Sequence, residues 1–142
     1  MEGSTGFLVE ITQENGDSIF LDDKTVHKVE FKIDTIEEDV KDRSENVINK
    51  VVVSGSIKVE NKDQTRMLAL WSLDKKREKV YRKMKITLKT GGETLRTYNM
   101  DMVFCIDYTE HFNAQQGKEG HTFELVAAQR KDNLEGIKIG SV

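Results

Sequence analysis

Apolar and polar side chains alternate through most of this chain, a period-2 pattern that directs it into half-buried β-strands. Phe7, Val9 and Ile11 alternate with Leu8, Glu10 and Thr12, and the turn 14-ENGD-17 follows. Its Asn15-Gly16 pair suits a two-residue hairpin, because both residues tolerate positive φ. SIFLD then reads as the return strand. In 26-VHKVEFKI-33, Val29, Phe31 and Ile33 share one face and Lys28, Glu30 and Lys32 the other. The segment 50-KVVVSGSIKVE-60 is a further strand with Gly55 at its middle, where a bulge or sharp bend is the usual reason for glycine.

The period changes once. Over 63-DQTRMLALWSLDKKRE-78, Met67, Leu68, Leu70, Trp71 and Leu73 recur at three- and four-residue spacings. Asp63 or Gln64 opens the segment, and Lys75, Lys76 and Arg77 stand where a helix C-terminus favours positive charge. A helix of about three turns is too short to stand alone, so its apolar stripe must pack on a sheet or in a barrel mouth. Strands resume at 80-VYRKMKITLKT-90, where Lys83, Lys85, Thr87 and Lys89 form a wet face and the opposite face is apolar except for Arg82. A turn at 91-GGE-93, strands over 94–100 and 101–112, a polar loop over 113–120 and a strand over 121–130 follow. In the tail, Leu134, Ile137 and Ile139 offer one more strand. This predicts one mainly β domain over 1–142: an antiparallel barrel or sandwich of about eight strands, with one short α-helix and a long extended loop. Closure into a barrel would remove exposed sheet edges.

Composition narrows the function. Charged residues make up 33 % of the chain and the net charge is −3, a mixed surface without the basic footprint of a nucleic-acid binder. No apolar run reaches the roughly 18 residues of a membrane span, and the opening residues carry no signal-peptide pattern, so folding in the cytosol is expected. Cys105 is the single cysteine, which forbids an internal disulfide and fits that compartment. His27, His111 and His121 are scattered without metal-ligand spacing, so no metal site is expected. Cys105 with His111 or His121 as a partner could in principle form a thiol nucleophile pair. It lies in the apolar run MVFCI, however, where a cysteine packs as a small hydrophobe. The pairs Asp22/Asp23 and Asp107/Glu110 and the run Glu37–Asp39 read as solvated charge. The glycines of 89-KTGGET-94 sit between two strands, which suits a hairpin and not a phosphate loop. No catalytic constellation and no cofactor site emerges, so the chain is expected to act through its surfaces.

The stretch 34-DTIEEDVKDRSENVINK-50 connects two strands with seventeen residues, nine of them charged. A hairpin needs only two to five. Such a segment is either a free charged loop or one held by something outside the chain.

The order of elements resembles the haemolysin-coregulated proteins (Hcp) of type VI secretion and the tail-tube proteins of contractile phages and related injection particles. The likeness is carried by 63-DQTRMLALWS-72, which is similar to the short helix that plugs the barrel in that family. It is also carried by 82-RKMKITLKTGGETLRTYNMDMVFCIDYTEHFN-113, a strand, glycine hairpin and strands ending in Tyr108 and Phe112, and by 122-TFELVAAQRKDNL-134 as a final strand. The resemblance implies a structural protein, not an enzyme: a homo-hexameric ring stacking into a hollow tube. It also implies sheath, baseplate or spike proteins as partners, and a particle assembled in the cytoplasm and then ejected or released. It assigns Met67, Leu70 and Trp71 to the barrel plug and makes the 34–50 connection an arm onto a neighbouring subunit. Ile36, Val40, Val47 and Ile48 are its apolar anchors among charges. Two other readings stay open: a monomeric or dimeric β-barrel module binding a small ligand at its helix-capped mouth, and a thiol hydrolase using Cys105.

Overall fold

The computed structural model describes residues 5–14, 16–35, 47–57, 64–75, 80–129 and 137–141. Strand β1 (Thr5–Thr12) turns into β2 (Ser18–Leu21) through the expected hairpin. There the Gln13 amide donates to the Asp17 carbonyl at 2.8 Å and Gly16 takes a φ of 101°. The next turn is held by one carboxylate: Asp22 Oδ1 accepts from the Lys24 and Thr25 amides and from Thr25 Oγ1.

Strands β3 (Val26–Thr35) and β4 (Val47–Ser56) pair antiparallel from Val26–Gly55 through to Thr35–Val47. The ladder therefore runs further than the alternation indicated. Val47 and Ile48 are strand residues opposite Thr35 and Asp34, and the connection shrinks to residues 36–46. Ile36 and Val40 lie outside the described residues. Gly55 meets a steric demand, since a Cβ there would stand 1.8 Å from the Thr25 carbonyl oxygen. That oxygen accepts the Ser56 amide at 2.9 Å, beside a bulge at His27.

Helix α1 (Gln64–Leu73) is followed by β5 (Arg82–Thr90), β6 (Glu93–His111), a 3₁₀ helix (Ala114–Gly120), β7 (Thr122–Gln129) and β8 (Ile137–Ser141). Gly91 and Gly92, with φ of 58° and 84°, make the tight turn between β5 and β6, where two positive φ values match the strand twist. Residues 94–112, expected as two strands, are one strand of 19 residues from Glu93, because the chain bulges at Asp101–Met102 and does not turn. The 3₁₀ helix stands where a polar loop was expected, started by Asn113, whose Oδ1 accepts the Gln115 amide at 3.0 Å.

The strands form one antiparallel sheet in the order β2-β1-β5-β6-β7-β4-β3, with β8 also on β6. Val103 pairs with both Arg82 and Gln129, and Thr97 with both Thr87 and Gly140. Strands β7 and β8 thus lie end to end along the edge of β6 opposite β5. Among the described residues the architecture is mainly β, with eight strands and one α-helix, as expected. Its two ends, β2 and β3, are not hydrogen-bonded to each other among the described residues, so the sheet curls without closing. One buried cluster joins Val9 and Ile11 of β1, Met84 and Ile86 of β5, Val51 and Val53 of β4, and Phe123 and Leu125 of β7. A single sheet can bury one face of so many strands together only by wrapping round it.

Candidate assembly surface

Helix α1 packs on the sheet against β2 and β6. Thr65, Leu68 and Trp71, three residues apart, form its buried seam. Met67 packs on the flank of that seam against the core, while Leu70 is 40 % exposed and Leu73 72 %. The helix is tied down by polar groups at several points. Gln64 Oε1 accepts the Phe20 amide of β2 at 2.9 Å, the Tyr108 hydroxyl of β6 donates to the Thr65 carbonyl at 3.3 Å, and Trp71 Nε1 donates to the Val80 carbonyl at 2.9 Å. Arg82, on the apolar face of β5, is buried with its Nη2 3.1 Å from Asp74 Oδ2 and its guanidinium 5.4 Å from the Trp71 ring centroid. Burial draws the Arg82 pKa below its ordinary value, and the Asp74 charge opposes that shift. Thr65 and Asp74 escaped the sequence reading: a threonine is not counted in an apolar stripe, and Asp74 stands just past the helix. Leu68 and Trp71 fill the space under the helix.

The opposite face of the sheet is polar and cross-strand matched. Glu10, Lys85, Asn99 and Lys138 stand in one row across β1, β5, β6 and β8. Thr12 pairs with Lys83 in the neighbouring row, and all three lysines are exposed. Toward the end of the curl where β3 and β4 run on to residues 35 and 47, Phe31 stacks on Tyr98 at 4.5 Å. Ile33, two residues along β3, and Ile139, opposite Tyr98 on β8, are 54 % and 52 % exposed. The edge of β8 away from β6 carries no strand among the described residues. A row of open backbone donors and acceptors beside exposed isoleucines is a surface suited to pairing with another chain.

The other sequence candidates are dispersed. Cys105 is half-buried against the core, where desolvation, with the Asp107 charge second, pushes its thiol from 9.0 up to about 11. A neutral thiol at physiological pH is the opposite of an activated nucleophile. His27 Nε2 lies 3.2 Å from Ser56 Oγ, and the His121 ring packs 5.4 Å from Phe112. No group of three or more metal-ligating side chains occurs among the described residues, and none of the described helices is long and apolar enough to cross a membrane.

The sequence matches no family model and no curated protein. Solved structures match over nearly the whole length. The Hcp1 protein of the E. coli EAEC 042 pathovar superposes at a TM-score of 0.60 with 7 % identity, covering 96 % of this chain and 98 % of that one. A chain of the anti-feeding prophage baseplate, 6-fold symmetrised, gives 0.59 with 10 % identity over 98 % and 95 %. A chain of the PVC sheath-tube complex, an extracellular contractile injection system in its extended state, gives 0.57 with 16 % identity over 96 % and 89 %. This chain has the Hcp and tail-tube fold. Within that fold, α1 packs on β2 and β6, and β3 and β8 carry the exposed Ile33 and Ile139.

Proposed function

We propose that this protein is the inner-tube subunit of a contractile injection system, assembling into six-membered rings that stack into a hollow tube. The observation that carries this reading is the reciprocal coverage. The likeness to Hcp1 and to the sheath-tube and baseplate chains takes in nearly all of this chain and nearly all of those, so it is carried by the whole fold and not by one shared motif. The six-fold symmetry belongs to the baseplate structure and is carried over to this chain as part of the proposal. The edge of β8 that carries no strand among the described residues, with the exposed Ile33 and Ile139, supplies the kind of surface ring formation needs. A head-to-tail contact of this sort repeats into rings and, stacked, into a tube. Sheath, baseplate and spike proteins of the same particle are the partners, the work is mechanical and not catalytic, and the particle is assembled in the cytoplasm before ejection or release. Residues 36–46, with Ile36 and Val40, reach onto a neighbouring subunit, and Val47 and Ile48 lead into that arm.

Negative-stain electron microscopy with native mass spectrometry of the purified protein tests the reading. Six-subunit rings with a central hole, or stacks of them, are expected. A monomer that persists at every concentration, and that copurified baseplate components do not convert into rings, would overturn it in favour of a ligand-binding module.

A further inference from the structure

A groove of about 530 Å³ is set into the outer face of β1, β5, β6 and β8, lined by Glu10, Thr12, Lys83, Lys85, Asn99, Asp101, Lys138 and the edges of Met84 and Met100. We propose that it is the docking site for an acidic segment of a partner protein.

The groove has a structural cause. On β6 two residues, Asp101 and Met102, stand opposite the single Lys83 of β5, and Met102 takes a φ of 56°, a left-handed conformation that a methionine adopts only under constraint. Such a bulge bends its strand and raises the local twist, which lets a pleated outer surface become hollow. Lys83 and Lys85 lie two apart on β5 and so project to the same side, and Lys138 joins them from β8 in register with Asn99. None of the three ammonium groups makes an ion pair with a described residue, although Glu10 stands opposite Lys85 in register. Three uncommitted cations in one hollow, on a chain whose net charge is −3, favour an anionic visitor by local chemistry and not by the field of the whole molecule.

Its two carboxylates decide which anion. A nucleic-acid strand carries a charge on every phosphate and cannot avoid Glu10 and Asp101. A polypeptide can set acidic side chains at the lysines and turn its backbone amides toward Glu10, Asp101, Thr12 and Asn99, whereas a cation carried beside its carboxylates would meet the three lysines. The longest acidic run of this chain, Glu37–Asp39, is followed within four residues by Lys41 and Arg43. A second copy therefore brings cations along with its carboxylates, and the better fit is a different protein. The groove is complete within one chain, so docking does not depend on ring formation and the two fail separately.

The probe is a fluorescent eight-residue peptide of alternating glutamate and glutamine, titrated against the full-length protein at low and at high salt, beside an oligothymidylate of equal length. The expected result is salt-sensitive peptide binding that weakens about tenfold or more in Lys83→Glu/Lys85→Glu/Lys138→Glu and is unchanged in Lys24→Glu, a turn lysine away from the groove. The matching Lys→Gln triple variant, which removes charge without adding repulsion, should lie between, with melting temperature unmoved in both. Peptide binding that ignores the triple reversal would overturn the proposal. So would oligothymidylate binding as tight as the peptide through the same lysines, or loss of self-association in the Lys→Gln variant, which would make the groove a contact between copies.

Discussion

Two glycines are required here for different reasons, and substitution separates them. At Gly55 a Cβ would lie 1.8 Å from the Thr25 carbonyl oxygen and 2.8 Å from its carbon, both backbone atoms that cannot step aside. Gly55→Ala should cost roughly 2–4 kcal/mol, since the β3–β4 ladder must open to admit it. At Gly16 nothing lies within 4 Å, and only the φ of 101° resists a side chain. Gly16→Ala should cost about 1 kcal/mol. Urea unfolding of the two variants measures the contrast, and equal losses would refute the steric account of Gly55. Cys105 gives a prediction in pH. Its thiol titrates near 9.0 when unfolded and about 11 when folded. The native state holds the proton longer, so stability is unaffected below pH 9 and falls as pH rises from 9 toward 11. Allowing for the half-exposed position, the loss should be roughly 1–2 kcal/mol, and Cys105→Ala should lack it. Denaturation midpoints of the two proteins across that window give the test. At this scale Gly55 was legible as a glycine inside an apolar strand, and Arg82 as a cation on an apolar face. Their partners, Thr25 and Asp74, were not, because such contacts follow no periodicity.

The elements were legible where one period held and lost where it slipped. Met100 and Val103 are both buried, three residues apart, because the Asp101–Met102 bulge inserts an extra residue. A strict period of two reads that slip as a break, so β6 looked like two strands. The ends of β3 and β4 were missed for a related reason. The segment Asp34–Thr35 is polar, and its pairing with Val47–Ile48 is set by the ladder and not by composition. In α1 the apolar stripe was visible, yet its buried line runs through Thr65, Leu68 and Trp71, with Leu70 turned outward. Trp71→Ala should cost roughly 3–5 kcal/mol, through the lost ring volume, the broken bond to Val80 and the uncovered Arg82. Leu70→Ala should cost under about 1 kcal/mol. Thermal unfolding of both variants checks the ranking, and a Leu70 effect as large as that of Trp71 would mean the helix sits rotated from the seam described.

At the scale of the whole molecule, the 36–46 connection separates fold from assembly. Its ends are held by the Thr35–Val47 pair, so replacing residues 36–46 with Asn-Gly leaves two strands that a two-residue turn can join without altering their register. Closing a loop of eleven residues costs the chain more entropy than closing one of two. By the logarithmic law the difference is about 1.5 kcal/mol, so the shortened monomer should be more stable by roughly that amount. If residues 36–46 reach onto a neighbouring subunit, the same change removes those contacts and ring formation falls. Stability and assembly then move in opposite directions, a combination that general damage to the fold cannot produce. Chemical denaturation gives the first quantity and native mass spectrometry the second. Rings that persist after the deletion would assign assembly to the sheet edges alone, with β8 and the exposed Ile33 and Ile139 as the next positions to change. A shortened chain that neither assembles nor gains stability would instead tie these residues to the fold of their own subunit.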